Sequence, residues 1–201
     1  MNKLKTVRLS DYTPYPFKIP EIKLDFIIYK EYVKLTSLMN IEPLSNANQP
    51  LNLNGLNLEL EGISINEQEL KNEEYKLSKK NLIINETPVE PFELKISVKI
   101  NPFTNVSLEG LYLSKTNLVT QCEAEGFRRI CFHPDRPDVL SKYLVRIEAN
   151  IVDYPILLSN GNLIKSSAIG SNPLRHEVIW EDPYPKPSYL FALVAGDLEK
   201  V

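Results

Sequence analysis

The hydrophobic positions of this chain recur mainly with a period of two. Apolar residues occupy every second position from 92 to 100, with Glu, Lys or Ser between them, and residues 22–28 show a similar alternation. Because side chains alternate between the two faces of a β-strand, both segments are predicted to be strands with one buried face. Asn101-Pro102 then ends the second strand, since proline cannot donate to a sheet.

Two Asn-Gly pairs favour tight turns between strands. Asn54-Gly55 lies between leucine-bearing segments, and Asn160-Gly161 follows the apolar residues 154–158. Asn-Gly is typical of the two-residue turns of β-hairpins, so each pair is predicted to join two adjacent strands, and the first hundred residues are predicted to form a meander. Residues 178–180 and 189–195 are further predicted strands. The second is nearly all apolar, which predicts a position in the middle of a sheet.

One helix start stands out, at Asp135-Arg136-Pro137. Aspartate is a favoured N-cap and proline is favoured in the first turn of a helix. The alternating pattern resumes at Tyr143, so this helix is predicted to span only a turn or two. Fifteen prolines and many β-branched residues complete the prediction of a mainly β fold. We expect a β-sandwich or a saddle-like multi-sheet domain of antiparallel and mixed strands, with one or two short helical turns.

Composition places this chain among globular proteins. With 201 residues, of which 43% are hydrophobic, it is long enough to bury a core, and we expect residues 1–201 to form a single domain. The net charge of −3 comes from interspersed charges, which argues against a nucleic-acid partner. No apolar run has the length of a signal peptide or a membrane helix, so we expect a soluble, cytoplasmic protein without a membrane partner.

Few residues of this chain are typical of catalytic or metal sites. Cys122 and Cys131 lack the spacing of a zinc site and are predicted to be buried free thiols. His133 and His176, the only histidines, are predicted to lie at the surface or in turns. The sequence contains no His-Glu-x-x-His zinc motif, no Gly-x-Ser-x-Gly motif and no phosphate-binding glycine loop. We therefore predict no catalytic residue, no metal ligand and no cofactor in this chain.

Gln121 and Glu123 form the one candidate binding site. In an extended segment they point to the same face, and Cys122 points to the other. A carboxylate beside an amide oxygen offers acceptors to the three N–H donors of an ammonium ion, such as the free amino terminus of a peptide. Taken alone, such a pair is more often simply the solvated face of a strand.

A longer stretch of the sequence resembles the amino-terminal domain of bacterial aminopeptidase N, a gluzincin zinc metallopeptidase. The matching strings include LEGLY (108–112), TQCEAEGFR (120–128), DRPDV (135–139), LLSNGN (157–162), PKP (185–187) and YLFALVAGD (189–197). The resemblance covers residues 108–197 in order and spacing. Before residue 108 it rests mainly on strand pattern and on LNLNG (51–55).

The resemblance implies a multidomain enzyme that removes single residues from the amino termini of peptides. It implies that zinc is bound by a following thermolysin-like domain, which would be this domain's partner, and that Gln121 and Glu123 bind the substrate's amino group. The chain alone is then expected to be inactive. Residues 131–134 depart from the aromatic-rich stretch expected there, which puts the contacts of that stretch in doubt.

A charge cluster also matches the family, and we interpret it as structural. It consists of Arg128, Asp135, Arg136 and Asp138. We expect these side chains to hold the loop in place rather than to contact substrate.

An alternative function is a stand-alone β-sandwich module that binds peptide or protein. The two hypotheses differ in one simple observation. A reading frame that continues past Val201 into a His-Glu-x-x-His segment favours the enzyme, whereas a stop codon there favours the module.

Overall fold

The computed structural model describes residues 8–45, 48–170 and 174–199, and these form a mainly β fold of three sheets. The strands are β1 (Phe17–Ile28), β2 (Val33–Pro43), β3 (Leu51–Asn54), β4 (Glu59–Ile65), β5 (Gln68–Glu69), β6 (Tyr75–Leu77), β7 (Asn81–Ile84), β8 (Phe92–Ile100), β9 (Gly110–Ser114), β10 (Asn117–Gln121), β11 (Leu140–Asn150), β12 (Ile156–Ser159), β13 (Asn162–Ile169), β14 (Arg175–Pro187) and β15 (Leu193–Gly196). Within those ranges the helices are three-residue 3-10 turns, at Leu9–Asp11, Pro102–Thr104, Phe127–Arg129 and Ser188–Leu190. None of them is long or apolar enough to cross a bilayer.

The largest sheet has eight strands in the order β13-β14-β11-β1-β2-β8-β4-β5. Strands β1 and β11 run parallel, and the other pairs in this sheet are antiparallel. A four-stranded sheet, β12-β15-β10-β9, and a three-stranded sheet, β3-β7-β6, complete the fold. The expected multi-sheet fold of antiparallel and mixed strands with short helical turns is therefore confirmed.

One face of the large sheet forms the core. Alternate residues of β2, β8 and β11 are buried, as the period of two predicted for residues 92–100. Aromatic side chains join the sheets, because Phe191, just before β15, stacks on Phe26 of β1 at a ring-centroid distance of 6.1 Å. Phe127 packs edge-on against Phe191 at 5.3 Å. The loop after β10, in which Phe127 lies, is thus fixed to the core.

The opposite face of the large sheet is charged. Arg146 of β11 forms ion pairs with Asp25, Glu148 and Glu177, at 2.6 to 2.7 Å. Hydrogen bonds from Lys165 and then from Arg146 lower the pKa of Glu177 to about 2. This face therefore has the polar character that alternation predicts for the solvent side of a sheet.

Both hairpin predictions at the Asn-Gly pairs are wrong, for different reasons. The chain does bend at Gly161, with φ of +87°, but β12 before it belongs to the four-stranded sheet and β13 after it to the large sheet. Gly55 follows β3, which pairs with β7 rather than with the next strand. At Gly55 a side chain would overlap the ring of Phe132, so a close packing contact, and not a hairpin turn, requires this glycine.

The helix predicted at Asp135 is also wrong, since the chain forms only a turn at residues 137–138. The carboxylate of Asp135 does not cap the residues that follow it. It accepts hydrogen bonds from the backbone N–H of Arg128 at 3.1 Å and from Ser188 Oγ at 2.6 Å. The Asp135 carboxylate is therefore bonded to residues outside the predicted helix and is not available to cap it.

The predicted strand at residues 189–195 is partly confirmed. Its second half belongs to β15, which lies between β12 and β10 in the four-stranded sheet. Residues Ser188–Leu190 form a 3-10 turn instead.

Candidate functional site

Gln121 and Glu123 lie where the chain leaves the four-stranded sheet. Gln121 is the last residue of β10 and pairs with Gly110 of β9. Glu123 follows in a turn, and its peptide bond to Ala124 is cis. Both side chains are exposed while Cys122 between them is buried, which is the alternation expected from the sequence.

One hydrogen bond ties the Gln121 side chain to the backbone of Glu123. Gln121 Nε2 donates to the backbone carbonyl oxygen of Glu123 at 3.1 Å. This bond orients the amide so that Oε1 remains available as an acceptor. The thiol of Cys122 lies beneath them, and its burial raises its pKa to about 12, so it stays uncharged at neutral pH.

Gly126 closes the loop that carries Glu123. Its backbone N–H donates to the carbonyl oxygen of Cys122 at 2.8 Å. A Cβ at this position would overlap the carbonyl oxygen of Gln121 and lie 3.0 Å from the backbone nitrogen of Gly110. Only glycine allows the loop to approach both strands so closely.

The predicted charge cluster is structural but consists of two separate pairs. Arg128 donates Nε to Asp135 at 3.0 Å, and the carboxylate of Asp135 is buried. Arg136 instead pairs with Asp138 at 2.7 Å and donates to the carbonyl oxygen of Thr13. The first pair fixes the loop after Glu123, and the second fixes residues near the start of β1.

Two further ion pairs flank the loop and border a cavity of about 370 Å³ that the sequence did not predict. Glu125 pairs with Arg128 at 3.1 Å, and Glu109 pairs with Arg129 at 2.9 Å. In the described ranges, no Lys, Arg or His nitrogen lies within 4.0 Å of the Glu123 carboxylate. Glu123 is therefore the carboxylate of this loop that has no cation beside it.

Both histidines are buried, which corrects the prediction of surface positions. His133 is 0% exposed, and its ring meets Phe127 edge-on at 5.2 Å because its backbone bridges to Asn54 and carries it into the core. Burial lowers its pKa to about 4. His176, in β14, is 7% exposed, and its Nε2 lies 2.8 Å from the carbonyl oxygen of Tyr154. Sequence could not show these contacts, since both join distant segments.

The described residues do not fit a zinc ion. Across 8–45, 48–170 and 174–199, no group of three His, Cys, Asp or Glu side chains could hold a metal. Cys122 and Cys131 are both buried free thiols, as predicted. The segment 131–134, which departs from the expected aromatic pattern, is buried.

Known proteins are similar to this chain in sequence and in fold. Residues 20–190 match the peptidase M1 N-terminal domain. Aminopeptidase N of Caulobacter vibrioides is 46% identical over 195 residues, which are 97% of this chain and 22% of that protein.

This chain belongs to the peptidase M1 N-terminal domain family. The resemblance to aminopeptidase N is thereby confirmed. Solved structures of M1 peptidases share the fold. Aminopeptidase A of Legionella pneumophila, in complex with aspartic acid, is 38% identical with a TM-score of 0.89, over 96% of this chain and 23% of that chain.

A more distant structure shows the same fold at low identity. The M1 zinc metallopeptidase E323A mutant of Deinococcus radiodurans, bound to a Tyr-Ser-Ala substrate, is 14% identical with a TM-score of 0.75, over 92% of this chain and 43% of that chain. The M1 N-terminal domain described here spans about a fifth of the length of its curated relatives.

Proposed function

We propose that residues 1–201 are the amino-terminal domain of a zinc aminopeptidase, in which Gln121 and Glu123 bind the free amino group of a peptide substrate. One observation carries the proposal. Gln121 and Glu123 are both exposed, two positions apart and joined through the Glu123 backbone, while the neighbouring Glu109 and Glu125 are already paired with arginines. The loop thus leaves one acceptor pair free for a cation.

The chemistry of this pair suits an ammonium ion. The carboxylate supplies charge, and Gln121 Oε1 supplies a second acceptor, to a group that has three N–H donors. Holding the amino terminus of a peptide fixes the position of the first peptide bond relative to the rest of the enzyme. The domain would thus contribute orientation, which is a large effect in catalysis but requires no bond-making residue here.

Zinc belongs to this proposal only as a component of the longer protein. Because the described residues do not fit a metal, the metal ligands and the reacting groups would lie in the part of the polypeptide that relatives have beyond this domain. The M1 family and the zinc metallopeptidases among its structural neighbours support that assignment.

The test uses the full-length protein with a chromogenic amino-acid amide. Glu123→Gln removes the charge but keeps the shape, and we expect kcat/KM to fall about 10- to 100-fold, as for loss of a charge-assisted hydrogen bond. Gln121→Ala should reduce kcat/KM in the same direction. Zinc content should not change, because neither residue contacts the metal in this proposal.

A matched control lies on the same loop. Glu125→Gln removes a carboxylate that already pairs with Arg128, so it should leave kcat/KM close to wild type. Inhibition by a free amino acid should weaken in Glu123→Gln, while inhibition by the analogue without the amino group should not. Unchanged kcat/KM in both the Gln121 and Glu123 variants would refute the proposed role.

A further inference from the structure

The loop of residues 105–109 exposes two apolar side chains to solvent. Val106 is 92% exposed and Leu108 is 59% exposed. Ser107, between them, is also exposed, and its hydroxyl donates to Asn105 Oδ1 at 2.6 Å. Two apolar side chains that lie so close together in the solvent mark a candidate contact surface.

The loop is also firmly built. The Asn105 side chain donates to the carbonyl oxygens of Glu109 at 2.8 Å and Leu111 at 2.9 Å, and accepts from the backbone N–H of Ser107 at 3.0 Å. Leu108 has φ of +57°, in the left-handed region, which residues with a side chain rarely adopt. The hydrogen bonds of Asn105 thus hold Val106 and Leu108 outward in a fixed, strained conformation.

This loop borders the candidate site. It leads directly into Gly110, the residue that pairs with Gln121 at the end of β10. Glu109 at its end pairs with Arg129, on the segment that follows Glu123. A rigid apolar projection beside a polar rim is the usual form of an interface anchor.

We propose that Val106 and Leu108 anchor this domain to the zinc-binding part of the same polypeptide. The inference rests on the proposed function and names the surface through which Glu123 would be placed beside the reacting groups. The length of the relatives and the position of the loop indicate which part of the protein covers Val106 and Leu108. Relatives carry several times more chain than this domain, and a pair that grips a substrate for another domain must lie at the junction with that domain.

Thiol accessibility tests the proposal. Val106→Cys places a reactive thiol on the anchor, and its alkylation rate is compared in the 201-residue chain and in the full-length protein by mass spectrometry of the labelled peptide. Cys122 and Cys131 stay silent, because burial raises the pKa of each thiol to about 12. We expect alkylation on the order of 10-fold slower, or more, in the full-length protein, since a covered thiol reacts only when the interface opens.

Val89→Cys is the matched control. Val89 is 46% exposed and lies before β8, whereas Val106 and Leu108 lie after β8. The nine residues of β8 span roughly 30 Å, so the control position is far from the proposed anchor. Its thiol should react at the same rate in both proteins. Equal rates for Val106→Cys in the two proteins, or equal protection at both positions, would overturn the assignment of the anchor.

The outcomes separate the two proposals. If Glu123→Gln lowers kcat/KM while Val106→Cys stays fully reactive, the anchor is wrong and the proposed function stands. If Val106→Cys is protected while the Glu123 and Gln121 variants keep full activity, the docking surface stands and the role in binding the amino group fails.

Discussion

Gly126 offers a sharp test of how the loop around Glu123 is built. Its backbone has φ of −83° and ψ of −20°, which any residue can adopt. Judged by conformation alone, Gly126→Ala should stabilise the protein by about 0.4–1 kcal/mol, because alanine reduces the entropy of the unfolded chain. The surrounding atoms predict the opposite sign.

The added methyl group would meet backbone on two sides. It would overlap the carbonyl oxygen of Gln121 and lie 3.0 Å from both Cys122 Cα and the backbone nitrogen of Gly110. These atoms belong to β9, β10 and the turn after them, so they cannot rotate away as a flexible side chain would. Overpacking of this kind costs about 3 kcal/mol at the upper end of the usual range, and the net loss after the entropy gain is about 2 kcal/mol.

Denaturant unfolding of the 201-residue chain measures this loss. Trp180 is the only tryptophan and donates Nε1 to the carbonyl oxygen of Leu157 at 3.2 Å, so its fluorescence reports unfolding of the folded domain. A loss of about 2 kcal/mol corresponds to a decrease of roughly 4–8 °C in Tm for a domain of this size.

Gly62→Ala is the control. No atom lies within 4 Å of the Cβ position there, so it should be neutral or slightly stabilising. Gly126→Ala within about 0.5 kcal/mol of wild type would refute the steric argument.

Two further predictions concern buried polar groups. Asp135→Asn should lower the free energy of unfolding by about 3 kcal/mol, because it leaves Arg128 and Ser188 without their charged acceptor. Asp138→Asn breaks a more exposed ion pair and should cost about 1 kcal/mol or less. Equal losses for the two variants in denaturant unfolding would contradict this prediction. Burial lowers the pKa of His133 to about 4 in the folded protein, whereas the pKa in the unfolded chain is near 6.5. Between these two pH values the unfolded state binds more protons than the folded state. The free energy of unfolding should therefore fall by about 3 kcal/mol as the pH falls from 6.5 to 4. His133→Met should lack this part of the decline when unfolding is compared at pH 7 and pH 4.5, and parallel declines in the two proteins would show that His133 is not its source.

Strands were predictable from sequence because their signal is local. Alternation of apolar and polar residues over nine positions was enough to place β8. A strand with one buried face needs this alternation whichever strands pair with it. Sheet membership was not predictable in this way. The chain does bend at Asn160-Gly161, but the predicted hairpin does not form, because β12 pairs with β15 and β13 pairs with β14, and both partners lie later in the chain.

In the candidate site, too, some features follow from the local sequence and others depend on the fold. The exposure of Gln121 and Glu123 and the burial of Cys122 follow from alternation over three positions. The availability of Glu123 does not, because the sequence places Glu109, Glu125, Arg128 and Arg129 nearby without showing which carboxylate pairs with which arginine.

That pairing depends on the fold. Asp135 holds Arg128 from one side, and β9 brings Glu109 to Arg129. Both local arginines are thus occupied by other carboxylates, and Glu123 is left open to a cation from outside the domain. If either arginine were released, it would compete for Glu123 with an incoming ammonium ion, since both are cations that a carboxylate binds in the same way. The Asp135–Arg128 and Glu109–Arg129 pairs therefore keep Glu123 free of internal cations, whereas the Glu125–Arg128 pair is not needed for this because Asp135 alone still holds Arg128.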